Sequence, residues 1–151
     1  MPFDPNANYI EETDLMKGIR QVALVLSFSL FGFFLFCKCY CIENDCTPSF
    51  FALLLGWMGN ISWLANPLLI IAWYRLSKRK SNTWIFGLLA ILASLSFLWF
   101  NKVLINEAGH YSSITKLEIG YWLWLFSCAI TFIGSTLIVY LRKKQLTNQS
   151  L

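Results

Sequence analysis

The chain has 151 residues, 57% of them hydrophobic and only 13% charged, with a mean hydropathy of +0.56 and a formal net charge of +4. A soluble domain is about 25% charged, and a disordered chain combines low hydrophobicity with high charge. Composition therefore excludes disorder and disfavours a soluble enzyme domain; the expected class is all-α, a single integral membrane domain over residues 1–151 built as an antiparallel four-helix bundle.

Residues 1–18 are polar, with two prolines and four acids, and predict a short cytoplasmic arm that ends in a helical turn begun at Asn6 or Asn8. Residues 22–37 carry no charge. Crossing ~30 Å of hydrocarbon takes about 20 helical residues, so the first span is expected over about 21–41, with Lys38 reaching back to the headgroups. A cleaved leader is disfavoured, because the arm is acidic and no small-residue cleavage site follows. Phe36 in front of Cys37 speaks against a lipoprotein site.

A second uncharged run covers residues 50–74, with Pro67 expected to kink it. The third span is expected over 83–104 and the fourth over 119–141, leaving a polar tail at 142–151. Four crossings put both termini on one side. That side then holds Lys17, Arg20, Arg75, Lys78, Arg79, Lys80, Arg142, Lys143 and Lys144, while Lys38, Lys102 and Lys116 fall opposite. The bias predicts a multi-pass protein of the plasma membrane, the bacterial inner membrane favoured, with both termini cytoplasmic. The same clusters explain the net charge without nucleic acid, since no basic stripe with interleaved aromatics is present. Trp73, Tyr74, Trp84 and Tyr140 fall at the expected inner interface, and Trp99, Tyr121, Trp122 and Trp124 near the outer one, as an aromatic belt.

No Asp, Glu, Lys, Arg or His falls within the expected hydrocarbon core. Ion-coupled exchange needs such a group near the midplane, so a transporter is unsupported, as is an inverted repeat. What the spans do carry is small and polar. Gly59, Ser62 and Asn66 follow at i, i+3 and i+7, with Asn60 on a neighbouring face; Gly87, Ala90 and Ser94 align in the third span; Ser127, Thr131 and Ser135 align in the fourth. Such faces let helix backbones approach and hydrogen-bond across the contact. They serve bundle packing, or alternatively a polar lumen around Asn60 and Asn66.

Of five cysteines, four lie in the string CKCYCIENDC at the outer end of the first span. In an oxidising compartment Cys39 or Cys41 can pair with Cys46 and close the short loop. Redox catalysis at the end of a membrane helix uses C-x-x-C, which is missing, and the spacing fits no structural zinc site. Glu107 and His110 in the loop at 101–118 are a carboxylate–histidine pair of the kind that does acid–base work, although a lone loop histidine is usually solvated.

No cofactor, metal or catalytic motif is expected. The leading expectation is a non-enzymatic interaction or accessory subunit of an immunity, defence or assembly type. Its partners would be membrane lipids and either another membrane protein or a second copy of itself. The alternatives are a homo-oligomeric channel lined by Asn60, Ser62 and Asn66, and a membrane thiol oxidoreductase acting at Cys39, Cys41 and Cys46.

Overall fold

A computed structural model describes residues 12–43, 45–58, 60–99, 102–104 and 111–149. These residues are mostly helical, in five α-helices joined by 3-10 turns and short strands. The first helix, α1, runs Asp14–Phe36. Thr13 opens it: its hydroxyl oxygen accepts from the Met16 amide at 3.4 Å, and Asp14 supplies a negative charge in the first turn. The start expected at Asn6 or Asn8 lies outside the described residues, and the helix begins inside the arm expected over 1–18.

The first span was expected to continue to about residue 41, but α1 stops at Phe36. Cys37 is extended (φ −95°, ψ 169°), and β1 (Lys38–Ile42) follows, paired antiparallel with β2 (Asp45–Pro48) through a turn at Glu43, φ 53°. On its other edge β1 pairs with β5 (Lys116–Leu117), so the sheet order is β2–β1–β5. Cys37, Cys39 and Cys41 give their carbonyls to the amides of Ser49, Glu118 and Thr115. The backbone groups a helix would have satisfied internally are satisfied laterally instead. The chain is therefore mostly helical, with short strands between the helices.

The run at 50–74 is likewise not one helix. It divides into α2 (Ser49–Leu55), two 3-10 turns (Gly56–Met58 and Ile61–Leu64) and α3 (Ala65–Ser77). Asn60 makes the break, with an extended backbone (φ −142°, ψ 124°) and a side-chain oxygen that accepts from the Ser62 amide at 3.0 Å. Pro67 does not kink this segment. It sits in the first turn of α3, where amides have no intrahelical acceptor and a missing N–H loses no bond.

The third apolar run forms α4 (Thr83–Ser96), then a 3-10 turn (Phe97–Trp99) and β3 (Lys102–Leu104), which pairs with β4 (Tyr111–Ser113). The helix thus ends well short of residue 104. By contrast α5 (Ile119–Gln149) runs past residue 141, carried on by good helix formers from Arg142 to Leu146. Two helices are long and apolar enough to cross a membrane, Asp14–Phe36 and Ile119–Asn148; Thr83–Trp99 is apolar but shorter.

The helix α5 packs along α1 and α4, and α3 packs on α4. Two glycines permit close helix–helix approaches. A Cβ at position 134 would lie 2.5 Å from the Ala23 Cβ, and one at position 87 would lie 2.9 Å from the Phe132 Cα. Both contacts tolerate only hydrogen. Apolar cores form at three levels: Phe34, Tyr40, Phe97, Tyr121 and Trp124 beside the sheet; Leu69, Trp73, Ala90 and Cys128 in the middle; Ala23, Leu76 and Ile138 toward the opposite end. The end of α1, the sheet and the start of α5 form a cysteine end. The start of α1, the α3–α4 turn and the last third of α5 form a basic end.

Candidate functional site

Midway along the helices, three side chains from three helices meet around one hydroxyl. Trp73 of α3 donates its indole N–H to Ser27 Oγ of α1 at 2.8 Å, with Thr131 Oγ1 of α5 at 3.1 Å. Ser27 donates to the Ser127 carbonyl at 2.8 Å, and the Thr131 hydroxyl lies 2.8 Å from Ser27 Oγ and 3.1 Å from that same carbonyl. Phe28 stacks on the Trp73 ring at 4.0 Å between centroids, and Phe31 meets it edge-on at 5.4 Å. An aromatic wall thus excludes competing polar partners from the knot.

One level toward the cysteine end, Trp124 Nε1 donates to Asn66 Oδ1 at 2.9 Å, and Asn66 Nδ2 donates to the Trp63 carbonyl at 3.1 Å. Trp63 Nε1 donates to the Leu53 carbonyl at 2.6 Å, tying the broken segment to α2. The Tyr121 hydroxyl donates to the Ser94 carbonyl at 3.2 Å, joining α5 to α4.

Of the polar positions singled out from the sequence, Ser94, Ser127, Thr131 and Asn66 are brought into interhelical contact, Ser94 and Ser127 through their carbonyls. Ser94, Ser127 and Ser135 donate back to carbonyls of their own helices, those of Ile91, Trp124 and Phe132. Asn60 and Ser62 bond to each other rather than lining a path, with Ser62 Oγ 2.8 Å from Asn60 Oδ1. Gly59 lies outside the described residues. Chemically the arrangement is cohesive. Its donors and acceptors face each other, it holds no ionisable group apart from buried thiol and phenol, and none of these side-chain polar atoms is left without a partner.

At the cysteine end a disulfide joins Cys41 to Cys46, which oppose each other across the β1–β2 hairpin with Cα atoms 3.9 Å apart. Cys39 and Cys128 are buried and free, and Cys37 is half-buried and free. Burial pushes the Cys39 thiol up to about 12, only partly opposed by the nearby Ser49 hydroxyl. Such a thiol is neutral at physiological pH and a poor nucleophile. Cys41, Cys46 and Glu118 place one potential metal-ligand atom each within 4.8 Å of one another. With the two sulfurs joined, neither offers the thiolate a soft metal needs, and Glu118 instead holds Lys116 Nζ at 2.7 Å.

Aromatic residues read from the sequence as an interfacial belt divide into two sets. Tyr74, Trp99, Trp122 and Tyr140 are exposed, but Trp73 and Trp124 are 6% exposed and Tyr121 is 0% exposed. These three point inward as hydrogen-bond donors. Each lies within a turn of an exposed aromatic, so composition and depth alone do not separate the two roles.

A further pair escaped the sequence. Glu12 and Arg20 form a buried ion pair, with side chains 6% and 11% exposed. From the sequence Glu12 reads as one of the acids of the polar arm and Arg20 as a topology-setting cation. Glu12 precedes the helix and Arg20 lies on it, so their approach depends on where Thr13 starts the helix. Glu107 and His110 lie outside the described residues.

Comparison of the chain with protein-family models, with curated proteins and with solved structures finds no match.

Proposed function

We propose that the chain is a small four-crossing membrane protein, a non-enzymatic accessory subunit that binds another membrane component and carries no chemistry of its own. The crossings are α1, the broken segment Ser49–Ser77, the segment Thr83–Trp99 and α5, assembled as an antiparallel bundle. Both termini are cytoplasmic in the plasma membrane, the bacterial inner membrane favoured.

The observation that carries the reading is an inverted distribution of side chains. Ser27, Ser94, Ser127 and Thr131 are each 0% exposed, whereas Val25, Phe33, Leu55, Ile70, Leu92 and Ile133 are all more than half exposed. In water this order is unfavourable, since ~25 cal/mol is lost for each Å² of apolar surface left exposed. In lipid it is the stable one, because tails solvate the apolar exterior and interhelical hydrogen bonds supply cohesion. Several of the exposed residues follow a helical spacing, so the apolar surface extends along whole helices rather than forming one patch.

The non-enzymatic part of the reading rests on the polar groups being engaged with one another. A pore through the same chain would need Asn60, Ser62 and Asn66 free to face ions, and all three hold internal hydrogen bonds. A thiol enzyme would need an accessible, acidic cysteine beside the disulfide, and Cys39 is buried and basic.

The test is expression of the tagged chain, extraction of membranes with alkaline carbonate, and quantitative affinity purification from mild detergent. Retention in the carbonate pellet together with one stoichiometric membrane partner is expected. Recovery in the soluble fraction would overturn the membrane reading. A chain that stays monomeric and partnerless in every detergent and lipid would overturn the accessory role.

A further inference from the structure

At the basic end lies a small open cleft, with room inside of about 20 Å³, between the start of α1, the α3–α4 turn and the last third of α5. Its lining carries four cations, Arg20, Arg79, Lys80 and Arg142, and one anion, Glu12. The carboxylate is held mainly by Arg20. Arg79 Nε approaches Glu12 Oε2 at 3.3 Å without hydrogen-bond geometry. Among the described residues Lys80 and Arg142 have no carboxylate partner, so the lining keeps a formal charge of +3.

Local backbone reinforces this charge. Arg79 adopts φ 59°, a left-handed conformation uncommon outside glycine, asparagine and aspartate, and that turn sets it beside Glu12. Immediately after it α4 begins at Thr83, which lines the cleft. Its N-cap residue Asn82 makes no side-chain capping bond, so first-turn amides of a 14-residue helix keep their positive end open next to the cations.

We propose that this cleft binds a phosphate group, with Arg79, Lys80 and Arg142 as its charged contacts and the α4 N-terminus as its backbone contact. Guanidinium groups match phosphate oxygens in fork geometry, and a helix N-terminus adds oriented N–H donors. Glu12 keeps Arg20 buried and neutralised at the back of the cleft, leaving Lys80 and Arg142 to the guest and Arg79 shared between the carboxylate and the guest. The interior has room for about one water, so the phosphate sits over the mouth. Two sources share this chemistry: the headgroup of an anionic phospholipid, or a free phosphate or phosphorylated solute. The lipid source rests on the membrane reading above; the free source does not.

The experiment uses the full chain purified in dodecyl maltoside. Native mass spectrometry measures retention of phosphatidylglycerol against phosphatidylcholine, and thermal unfolding measures stabilisation by inorganic phosphate at constant ionic strength. Phosphatidylglycerol is expected to be retained about tenfold more strongly than phosphatidylcholine, the scale of one or two charge-assisted contacts. The double variant Lys80→Gln/Arg142→Gln should lose that preference. Lys143→Gln/Lys144→Gln makes the same change in net charge outside the cleft and should keep it.

Stabilisation by inorganic phosphate without lipid preference, abolished by the first double variant alone, assigns the site to a free phosphate. A chain recovered as a soluble protein fails the membrane reading, yet the phosphate arm still runs on it. Equal losses in both double variants, or no response to either probe, overturn the proposal. Because Lys80 is exposed and Arg142 only half-buried, unchanged unfolding of the variants without ligand is expected and separates binding from folding.

Discussion

The Trp73 indole N–H points at Ser27 Oγ across 2.8 Å, joining α3 to α1 at a depth where apolar residues surround the contact. Thr131 stands 3.1 Å from the same nitrogen and offers a second acceptor. On the membrane reading proposed above, Ser27→Ala is expected to cost only about 0.6–1.7 kcal/mol, the range for an interhelical hydrogen bond in lipid. Ser27→Ala/Thr131→Val leaves the indole with neither acceptor, which adds about 1–3 kcal/mol for a buried unpaired donor. The sum should exceed the single losses, and a double-mutant cycle followed by unfolding in mixed micelles measures the excess. Strict additivity would mean that the hydroxyls do not act as alternatives.

Gly134 and Gly32 supply a matched comparison within this fold. A Cβ at 134 meets the Ala23 Cβ at 2.5 Å, while one at 32 meets nothing within 4 Å. Gly134→Leu should push α5 away from α1 and destabilise by at least ~1–3 kcal/mol, the range for an overpacked contact. Gly32→Leu should leave thermal stability unchanged or slightly raised, because leucine is the better helix former. Both are read from melting in detergent.

Periodicity made the helical character of the chain legible, because uncharged runs of helical length have few alternatives. The small-polar face of Ser127, Thr131 and Ser135 was legible for the same reason: a fixed four-residue step keeps side chains on one side of a helix. The interruptions were harder to read. Asn60 ends one helical segment and starts another through a bond from its own side chain, and hydropathy does not register that bond. The strand at Lys38–Ile42 depends on partners as distant as Lys116 and Leu117, and the donor role of Trp73 depends on Ser27, 46 residues away. Long-range pairing of this kind leaves no local period in the residues that share it.

Asn66 separates a packing role from a conducting one. Its amide accepts from Trp124 and donates to the Trp63 carbonyl, holding α3, α5 and the 3-10 turn together. Asn66→Leu should leave the Trp124 N–H unpaired and lower stability by about 1–3 kcal/mol. Trp124→Phe in the same background should recover part of that loss, because the orphaned donor is removed. Recovery is measured by thermal unfolding of both variants. A loss that Trp124→Phe only deepens would place the role of Asn66 elsewhere.

The buried thiol at the cysteine end sets a pH dependence whose sign follows from its environment. Burial lifts Cys39 from the ordinary 9.0 to about 12, so the fold favours the neutral thiol while the unfolded chain ionises it near 9. This contribution to stability is complete below pH 9 and declines as pH rises toward 12, by about 1.4 kcal/mol per pH unit across that interval. Tyr40, raised for the same reason, acts in the same direction once pH passes its ordinary 10.0. Cys39→Ala should flatten the fall in melting temperature between pH 9 and 11, although it also loses some packing at neutral pH. Reactivity follows the same logic: at pH 8 an unperturbed thiol is about a thousandfold more ionised than one at 12. By exposure, iodoacetamide should modify half-buried Cys37 first and, after reduction, half-buried Cys46, with buried Cys39 far behind until the chain is unfolded. Mass-resolved peptide mapping reads the order, and early modification of Cys39 in the folded chain would place that thiol outside the core formed by Phe34, Tyr40 and Tyr121.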